Sequence, residues 1–270
     1  MRPVTTGRFA PSPTGPLHLG NLRTALLAWL FARAAGGRFL VRVEDLDPVT
    51  ATREKEAAQL ADLQALGLDW DGPVVRQSER RALHEAALER LVTEGLTYPC
   101  WCSRREIREA AAAPHVPAGA YPGTCRDLTA AERAAREASG RPAALRLRAS
   151  GQEVEVVDLL HGPVRRRVDD VVLRRNDGVP AYNLAVVVDD HDQGIDQVVR
   201  GEDLVDVTPT QAHLCDLLGL PRPSWAHVPL ALAPDGSRLA KRHGAVTMAD
   251  LAAKGVDATA VRGRLAASLG

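Results

Sequence analysis

A proline-rich segment near the start of the chain has residue types and spacing that suit it to holding a phosphate group. The segment, RFAPSPTGPLHLGN at residues 8–21, contains three prolines, which keep the backbone extended, and two glycines, where a ligand can approach the backbone. His18 can donate a hydrogen bond to a phosphate, and a helix predicted to begin near Asn21 points its positive end into the same gap. The glycines lack the spacing of a Walker A loop or a dinucleotide fingerprint, so a proline-rich loop with a surface histidine stays open as the alternative.

A group of cysteines forms a second candidate site. Cys100 and Cys102 are spaced C-x-C, and Cys125 follows in the same region. In a protein expected to reside in the cytoplasm, clustered cysteines indicate a metal site before a disulfide. Three sulfurs leave a zinc ion one ligand short, and His115 is the conventional fourth ligand. Reduced structural cysteines are the alternative, and Cys215 lies in a helical apolar pattern typical of a core.

Composition narrows the class of protein. The 270 residues are 45% hydrophobic and 25% charged, which is ordinary for a globular protein. No apolar run approaches the roughly 18 residues that span a membrane, and the first residues lack the apolar stretch of a signal peptide. The formal net charge is +0, so binding to nucleic acid would have to use local patches. We therefore expect a cytoplasmic protein with no membrane association.

The elements that must position these residues alternate along the chain. The patterns predict strands at Arg8–Ala10 and 38–45 and helices at Leu22–Ala35, Arg53–Leu66 and His84–Glu94. Strand–helix alternation is typical of an α/β fold with a parallel sheet and right-handed crossovers.

The alternation of predicted strands and helices is interrupted near residue 98 and resumes near residue 172. Short strands are predicted in AALRLRAS and PVRRRV, and an Asp-Gly turn between two apolar runs after Asp170 predicts a hairpin. We interpret residues 1–97 and 173–270 as two halves of a Rossmann-like domain. Residues 98–172 form a mixed α+β, zinc-type insertion between them.

The opening segment resembles the first signature of class I aminoacyl-tRNA synthetases, specifically the glutamyl group. There RFAPSPTG precedes a His-x-Gly-His or His-x-Gly-Asn element, and Asn21 stands at the last position here. RLAKR, residues 238–242, resembles the second, KMSKS-like signature, with its second lysine at Lys241. Lysine is otherwise rare in this arginine-rich chain, and the alternative for Lys241 is an exposed loop residue. The resemblance implies the class I synthetase fold, His18 and Lys241 as catalytic residues, and further ATP contacts from Thr14, Gly20 and Asn21.

Three further segments match the glutamyl pattern. RVEDLD resembles the family's RIEDTD, AYNLAVVVDD resembles its strand bearing a substrate tyrosine, and VVRGEDL resembles its V-x-R-G-x-D segment. The resemblance implies that Arg8 and Arg200 hold the side-chain carboxylate of glutamate and that Glu44 holds the ammonium group, by charge-assisted hydrogen bonds. The implied glutamate site consists of Arg8, Phe9, Ala10, Pro11, Ser12, Glu44, Tyr182 and Arg200.

The insertion resembles that of the short glutamyl-queuosine tRNA(Asp) synthetases. In that family C-x-C and Y-x-x-x-C supply Cys, Cys, Tyr and Cys to zinc, and YPGTC matches the second element. The resemblance therefore implies one structural Zn²⁺ on Cys100, Cys102, Tyr121 and Cys125, with Tyr121 preferred to His115. The resemblance covers nearly the whole chain, and it implies that the anticodon-binding domains of longer glutamyl-tRNA synthetases are absent, which is an expectation from the 270 residues.

This resemblance implies a specific reaction. The protein is expected to activate L-glutamate with ATP and Mg²⁺ and to transfer it to queuosine in the anticodon of tRNA(Asp), as a monomer. The alternatives are a truncated synthetase that charges tRNA(Glu), a small-molecule nucleotidyltransferase, and a paralogue that binds tRNA or adenylate without turnover.

The second signature predicts a rate effect at Lys241. Lys241→Ala should lower single-turnover adenylate formation by on the order of 10²–10³, the usual loss for one donor to developing charge. Lys241→Arg should recover part of the rate, because its charge is spread over a planar fork. Glutamate affinity should stay near the wild-type value. A Lys241→Ala enzyme within a few-fold of wild type would show that RLAKR is an ordinary exposed loop.

Overall fold

A computed structural model of the chain describes residues 5–111, 121–231 and 246–268. Its larger sheet has the strand order β3-β2-β1-β9-β10-β6-β7. The strands are β1 (Thr6–Phe9), β2 (Arg38–Val43), β3 (Val75–Arg76), β6 (Glu153–Asp158), β7 (Gly162–Arg167), β9 (Gln197–Gly201) and β10 (Ser224–Val228). All neighbouring strands pair in parallel except β6 and β7, which form an antiparallel hairpin at one edge.

A smaller antiparallel sheet lies in the insertion. Its strands are β4 (Thr97–Cys100), β5 (Ala144–Leu147) and β8 (Val172–Arg174), in the order β4-β5-β8. The helices are α1 (Leu19–Ala34), α2 (Arg53–Ala65), α3 (Arg81–Thr93), α4 (Arg104–Ala111), α5 (Ala130–Ala138), α6 (Tyr182–Asp192), α7 (Thr208–Leu217), α8 (Met248–Ala253) and α9 (Ala258–Ala267). In the described part of the chain, no helix combines the length and apolar character that crossing a membrane requires.

Helices cover both faces of the parallel part of this sheet, because the connections between parallel strands place helices on the faces. Side chains alternate between the faces of a strand, so Phe39 and Val41 of β2 pack in the cluster that contains α1, α2 and α9. Leu40 packs on the opposite face, in the cluster that contains α3, α6 and α7. The same alternation places Arg42 on the face of α6, although it is completely buried. The predicted α/β fold is therefore confirmed.

The first helix follows closely from its sequence. Its apolar face, which includes Leu22, Ala25 and Leu26, is buried against the sheet. Gly7 of β1 lies directly under this helix, and a Cβ atom added there would approach the Cβ of Ala32 to 3.2 Å. The helix ends at the predicted glycines, and Gly36 takes a left-handed conformation with φ of +64°.

The hairpin predicted after Asp170 is wrong in its second half. The Asp-Gly turn is present, with Gly178 at φ +82° and a hydrogen bond of 2.8 Å from the Arg175 amide to the Val179 carbonyl. The second apolar run forms α6 instead of a strand, so Tyr182 lies in the first turn of a helix. A short continuous apolar run fits a buried helix as well as a buried strand, and periodicity cannot separate them.

The strand pairing also bears on the predicted insertion. β6 and β7 lie within residues 98–172, yet Trp225 of β10 pairs with Asp158 of β6 and thereby joins the hairpin to the main sheet. The domain boundaries themselves stay predictions.

Candidate active site and metal centre

A cavity of about 560 Å³ opens where β1 and β9 end, at the carboxyl edge of the parallel sheet. Here the strand order reverses direction, which is where ligands bind in open α/β sheets. The cavity is lined by all the predicted glutamate and ATP residues that the structure describes, namely Arg8, Phe9, Ala10, Pro11, Ser12, Thr14, His18, Gly20, Asn21, Glu44, Tyr182 and Arg200. Lys241 lies outside the described residues. The structure thus brings these residues together, and their individual roles stay predictions.

The proline-rich loop is held by hydrogen bonds to its backbone. The Glu44 amide donates to the Pro11 carbonyl at 2.9 Å, which ties the loop to the end of β2. The Gln59 amide nitrogen donates to the carbonyls of Ser12 at 3.1 Å and Gly15 at 2.7 Å. Gln59 is a residue of this site that was not predicted, and its signal in the sequence is a polar side chain on the buried face of α2.

His18 is the N-cap of α1. Its Nδ1 accepts from the Asn21 amide at 3.2 Å, and the Asn21 side-chain oxygen accepts from the His18 amide at 3.2 Å, which forms a reciprocal capping box. Because Nδ1 accepts, a neutral ring carries its proton on Nε2, the tautomer that can donate to a phosphate. Gly20 leaves room for the ring, since a Cβ there would lie 3.0 Å from two of its atoms.

A buried carboxylate joins the two arginines of adjacent strands. Asp190 of α6 accepts from Arg8 Nε at 3.0 Å and from Arg42 Nη1 at 2.7 Å. Burial opposes its charge, but Arg42 and Arg8 outweigh that effect and lower the pKa of Asp190. Arg42 Nη2 also lies 3.5 Å from Glu44 Oε1. Burial raises the pKa of Glu44 and the two arginines only partly offset it, so a cationic ligand would favour the charged carboxylate.

Asp189, which precedes Asp190, anchors α6 to α3 and to the turn before it. Asp189 accepts from Gln77 Nε2 at 2.8 Å, Arg80 Nε at 2.7 Å and His84 Nε2 at 2.9 Å. These three donors belong to a 3₁₀ turn (Gln77–Arg80) and to α3. The pair of acids therefore fixes α6 against both β1–β2 and α3.

Arg200 differs from Arg8 in its partners. It is buried, and its guanidinium contacts Tyr182 Oη at 3.3 Å, Thr208 Oγ1 at 2.9 Å and His227 Nε2 at 3.0 Å. Within the described residues, no carboxylate oxygen lies within 4.0 Å of the guanidinium. Burial lowers the pKa of Arg200, as expected for a cation without a counter-ion. Among the described residues, the cavity therefore offers the buried positive charge of Arg200 to an anionic ligand.

The cysteines of the insertion converge as their spacing predicts. The Sγ atoms of Cys100, Cys102 and Cys125 lie within 4.8 Å of one another, so the cluster could bind a metal such as zinc. The Tyr121 hydroxyl lies 3.3 Å from the Cys100 sulfur and 3.7 Å from the Cys102 sulfur. His115 lies outside the described residues. Burial and the adjacent thiols raise the pKa of Cys102 to about 12, so a thiolate at Cys102 needs a cation to compensate its charge. Burial opposes the charge of Cys100 as well, but hydrogen bonds with Tyr121 and Arg146 outweigh that effect and lower its pKa.

A second cavity of about 500 Å³ adjoins the cysteine cluster. Its lining includes Cys100 and Cys102 together with four arginines, Arg104, Arg141, Arg146 and Arg175. Ala181 also lines this cavity, whereas the next residue, Tyr182, lines the first one. The arginine-lined cavity, as we call it below, therefore lies beside the candidate active site.

Comparisons with known proteins agree with this geometry. Residues 3–263 match the family described as tRNA synthetases class I (E and Q), catalytic domain. The chain is similar to a glutamyl-Q tRNA(Asp) synthetase of Nocardia farcinica, with 66% identity over 98% of this chain and 84% of the relative. It is 52% identical to the glutamyl-Q tRNA(Asp) synthetase of Symbiobacterium thermophilum, over 96% of this chain and 85% of the relative.

A solved structure shows the same similarity. The crystal structure of a glutamate tRNA ligase from Elizabethkingia meningosepticum, in complex with its amino acid, superposes with a TM-score of 0.77 and 33% identity. The match covers 89% of this chain and 52% of the ligase, so the chain spans about half the length of that protein.

The cysteine geometry predicts a metal content that mutation should change. Cys100→Ser should lose bound zinc, because thiolates supply most of its coordination, and the insertion should melt at a lower temperature. Cys215→Ser is the matched control, since Cys215 is also buried but lies outside the cluster. Metal analysis and thermal unfolding of both variants measure the effect. Zinc retained in full by Cys100→Ser would exclude Cys100 as a ligand.

Proposed function

The chain belongs to the class I synthetase family that comprises the catalytic domains for glutamate and glutamine, and we propose that it is a glutamyl-Q tRNA(Asp) synthetase. In this proposal it activates L-glutamate with ATP and transfers the glutamyl group to queuosine in the anticodon of tRNA(Asp). The curated relatives above support this assignment through their identity over almost the whole chain.

The observation that carries the choice of amino acid is that Arg200 has only uncharged hydrogen-bond partners among the residues that the structure describes. The carboxylate of a glutamate side chain would neutralise this buried guanidinium, whereas the amide of glutamine would leave it unpaired. Arg8 already shares Asp190 with Arg42, so it contributes less free charge. The raised pKa of Glu44 fits a carboxylate that receives the ammonium group of the same amino acid.

The first step that we propose is formation of glutamyl-adenylate. An α-carboxylate oxygen attacks the α-phosphorus of ATP, the bond to the bridging oxygen breaks, and pyrophosphate leaves. Positioning and electrostatics supply most of the catalysis in such displacements. His18 Nε2 and the N-terminus of α1 are the proposed donors to the phosphate oxygens, together with Lys241. Mg²⁺ enters with ATP as part of the substrate.

The second step is attack of a queuosine hydroxyl on the carbonyl carbon of the adenylate, which releases AMP. The RNA must therefore approach the open side of the first cavity. The arginine-lined cavity is a candidate for its phosphates, because guanidinium groups pair with phosphate oxygens. Its position beside Tyr182 would keep a bound nucleotide close to the activated carboxyl group.

We further propose that Cys100, Cys102, Tyr121 and Cys125 hold one structural zinc ion. The donor set fits, because three thiolates and a phenol oxygen would supply the four ligands that a structural zinc ion takes. Arg146 lies over the Tyr121 ring, with its guanidinium carbon 3.8 Å from the ring centroid, and would offset the negative charge of a zinc–thiolate centre. The ion would connect the end of β4, the loop that leads to α4 and the 121–125 turn on one side of the arginine-lined cavity.

A charging assay tests the function. The purified protein should transfer labelled glutamate to tRNA(Asp) that carries queuosine, and it should leave both queuosine-free tRNA(Asp) and tRNA(Glu) uncharged. Charging of tRNA(Glu) at its 3′ end would favour a truncated glutamyl-tRNA synthetase. ATP–pyrophosphate exchange without transfer to any of the three RNAs would contradict the proposed acceptor.

The arginine-lined cavity predicts a selective effect on RNA binding. Arg104→Glu should raise the KM for tRNA and reduce the slope of log affinity against log salt by about 1, as for loss of one phosphate contact. Arg105→Glu is the matched control, because Arg105 neighbours it on α4, is also exposed and does not line the cavity. Equal effects of the two substitutions would place the RNA elsewhere. Glutamate-dependent exchange without tRNA should stay at the wild-type rate in both.

A further inference from the structure

Behind Arg200 lies a chain of hydrogen bonds that the reaction described above does not use. His227 of β10 is 1% exposed, and its Nδ1 lies 2.6 Å from Oδ2 of Asp158, at the end of β6. Asp158 also accepts from the backbone amides of Leu160, His161 and His227, at distances of 2.9 to 3.1 Å. On its other side, His227 Nε2 lies 3.0 Å from Nε of Arg200.

Asp158 and Arg200 define the tautomer of the His227 ring that lies between them. Burial opposes the charge of Asp158, but hydrogen bonds from His227 and the backbone outweigh that effect and lower its pKa. An ionised carboxylate only accepts, so His227 Nδ1 must carry a proton. A guanidinium only donates, so His227 Nε2 must present its lone pair to Arg200. The imidazole is therefore neutral. Nδ1 donates to Asp158, whereas Nε2 accepts from Arg200 and also lies 3.0 Å from Thr208 Oγ1.

This arrangement holds Arg200 without neutralising it. A carboxylate in direct contact would pair with the guanidinium, as Asp190 pairs with Arg8. Here the carboxylate of Asp158 is separated from the cation by a neutral ring. Thr208 Oγ1 accepts from Nη2 at 2.9 Å and adds a second uncharged acceptor. Nη1 contacts the Tyr182 hydroxyl, which belongs to a residue lining the candidate active site.

We propose that His227, oriented by Asp158, is a positioning residue that aims Arg200 at the side-chain carboxylate of the amino acid and preserves its charge for that ligand. The proposal rests on the proposed function, because it takes glutamate as the amino acid. It adds a specificity device that lies outside the cavity and does not touch the substrate.

Two substitutions of His227 distinguish a role in positioning Arg200 from a role in packing alone. In His227→Gln, the longer side chain brings its amide oxygen to the place of Nε2, where it can accept from Arg200. In His227→Asn, the shorter side chain brings its amide to the place of Nδ1, where it can donate to Asp158 but cannot reach Arg200. We expect His227→Asn to weaken glutamate binding on the order of 10- to 100-fold, the usual effect of a lost hydrogen bond to a charged group. His227→Gln should stay within a few-fold of wild type.

The readouts are glutamate affinity by titration calorimetry and the KM values of ATP–pyrophosphate exchange. The KM for glutamate should rise in His227→Asn while the KM for ATP and the kcat change little. His161→Asn is the matched control, because His161 contacts the His227 carbonyl and not Arg200. Thermal unfolding of each variant shows whether the fold is intact.

The outcomes distinguish this proposal from its premise. Equal losses in the Gln and Asn variants, no loss in either, or a parallel rise in the KM for glutamate and for ATP would each overturn the positioning role. A wild-type protein that binds no glutamate would overturn both proposals. Failure to charge tRNA(Asp) would overturn only the proposed acceptor, because glutamate binding is measured without RNA.

Discussion

The ion pairs of Asp190 with Arg8 and Arg42 are the constraint on which the candidate active site depends. Asp190 comes from the second half of the chain, and it fastens α6 to β1 and β2, which come from the first half. Removing one partner of a buried ion pair typically costs about 3–5 kcal/mol, a large part of the stability of a domain. The same helix carries Tyr182 in its first turn, so the ion pairs also fix one wall of the cavity.

The buried arginines of the site are not equally compensated by carboxylates. One carboxylate serves both Arg8 and Arg42, whereas Arg200 has only uncharged hydrogen-bond partners within the described residues. Glu44 lies near the compensated arginines and has a raised pKa because it is buried. The cavity therefore presents a deficit of negative charge at Arg200 and a carboxylate at Glu44. An amino acid with an acidic side chain supplies the complementary charges, the carboxylate for Arg200 and the ammonium group for Glu44.

Local sequence patterns predicted the helices and strands better than they predicted the hydrogen-bond and ion-pair partners of the buried arginines. The first strand, its loop and α1 follow from prolines, glycines and apolar spacing, and the cysteine cluster follows from short-range spacing. The helix at Tyr182 was predicted as a strand, because its apolar run buries most of its circumference and loses the helical period. The partners of Arg8 and Arg200 could not be predicted, since Asp190 lies 182 residues from Arg8 and His227 lies on a strand formed 27 residues after Arg200. A charged residue inside the apolar strand RFLVRV was the one local sign of the buried network.

The insertion and the active site are connected through the start of α6. The chain leaves β8 of the small sheet, turns at Gly178 and enters α6 within four residues of that turn. Ala181 therefore lines the arginine-lined cavity, Tyr182 lines the cavity of the candidate active site, and the end of the same helix is fixed by Asp189 and Asp190. Ala181 is the N-cap of α6 and Tyr182 is its first residue, so the walls of the two cavities are one residue apart at this point. In the proposed reaction a nucleoside hydroxyl must reach an activated carboxyl group, and two adjoining cavities would bring these groups together, which is the positioning that such transfers require.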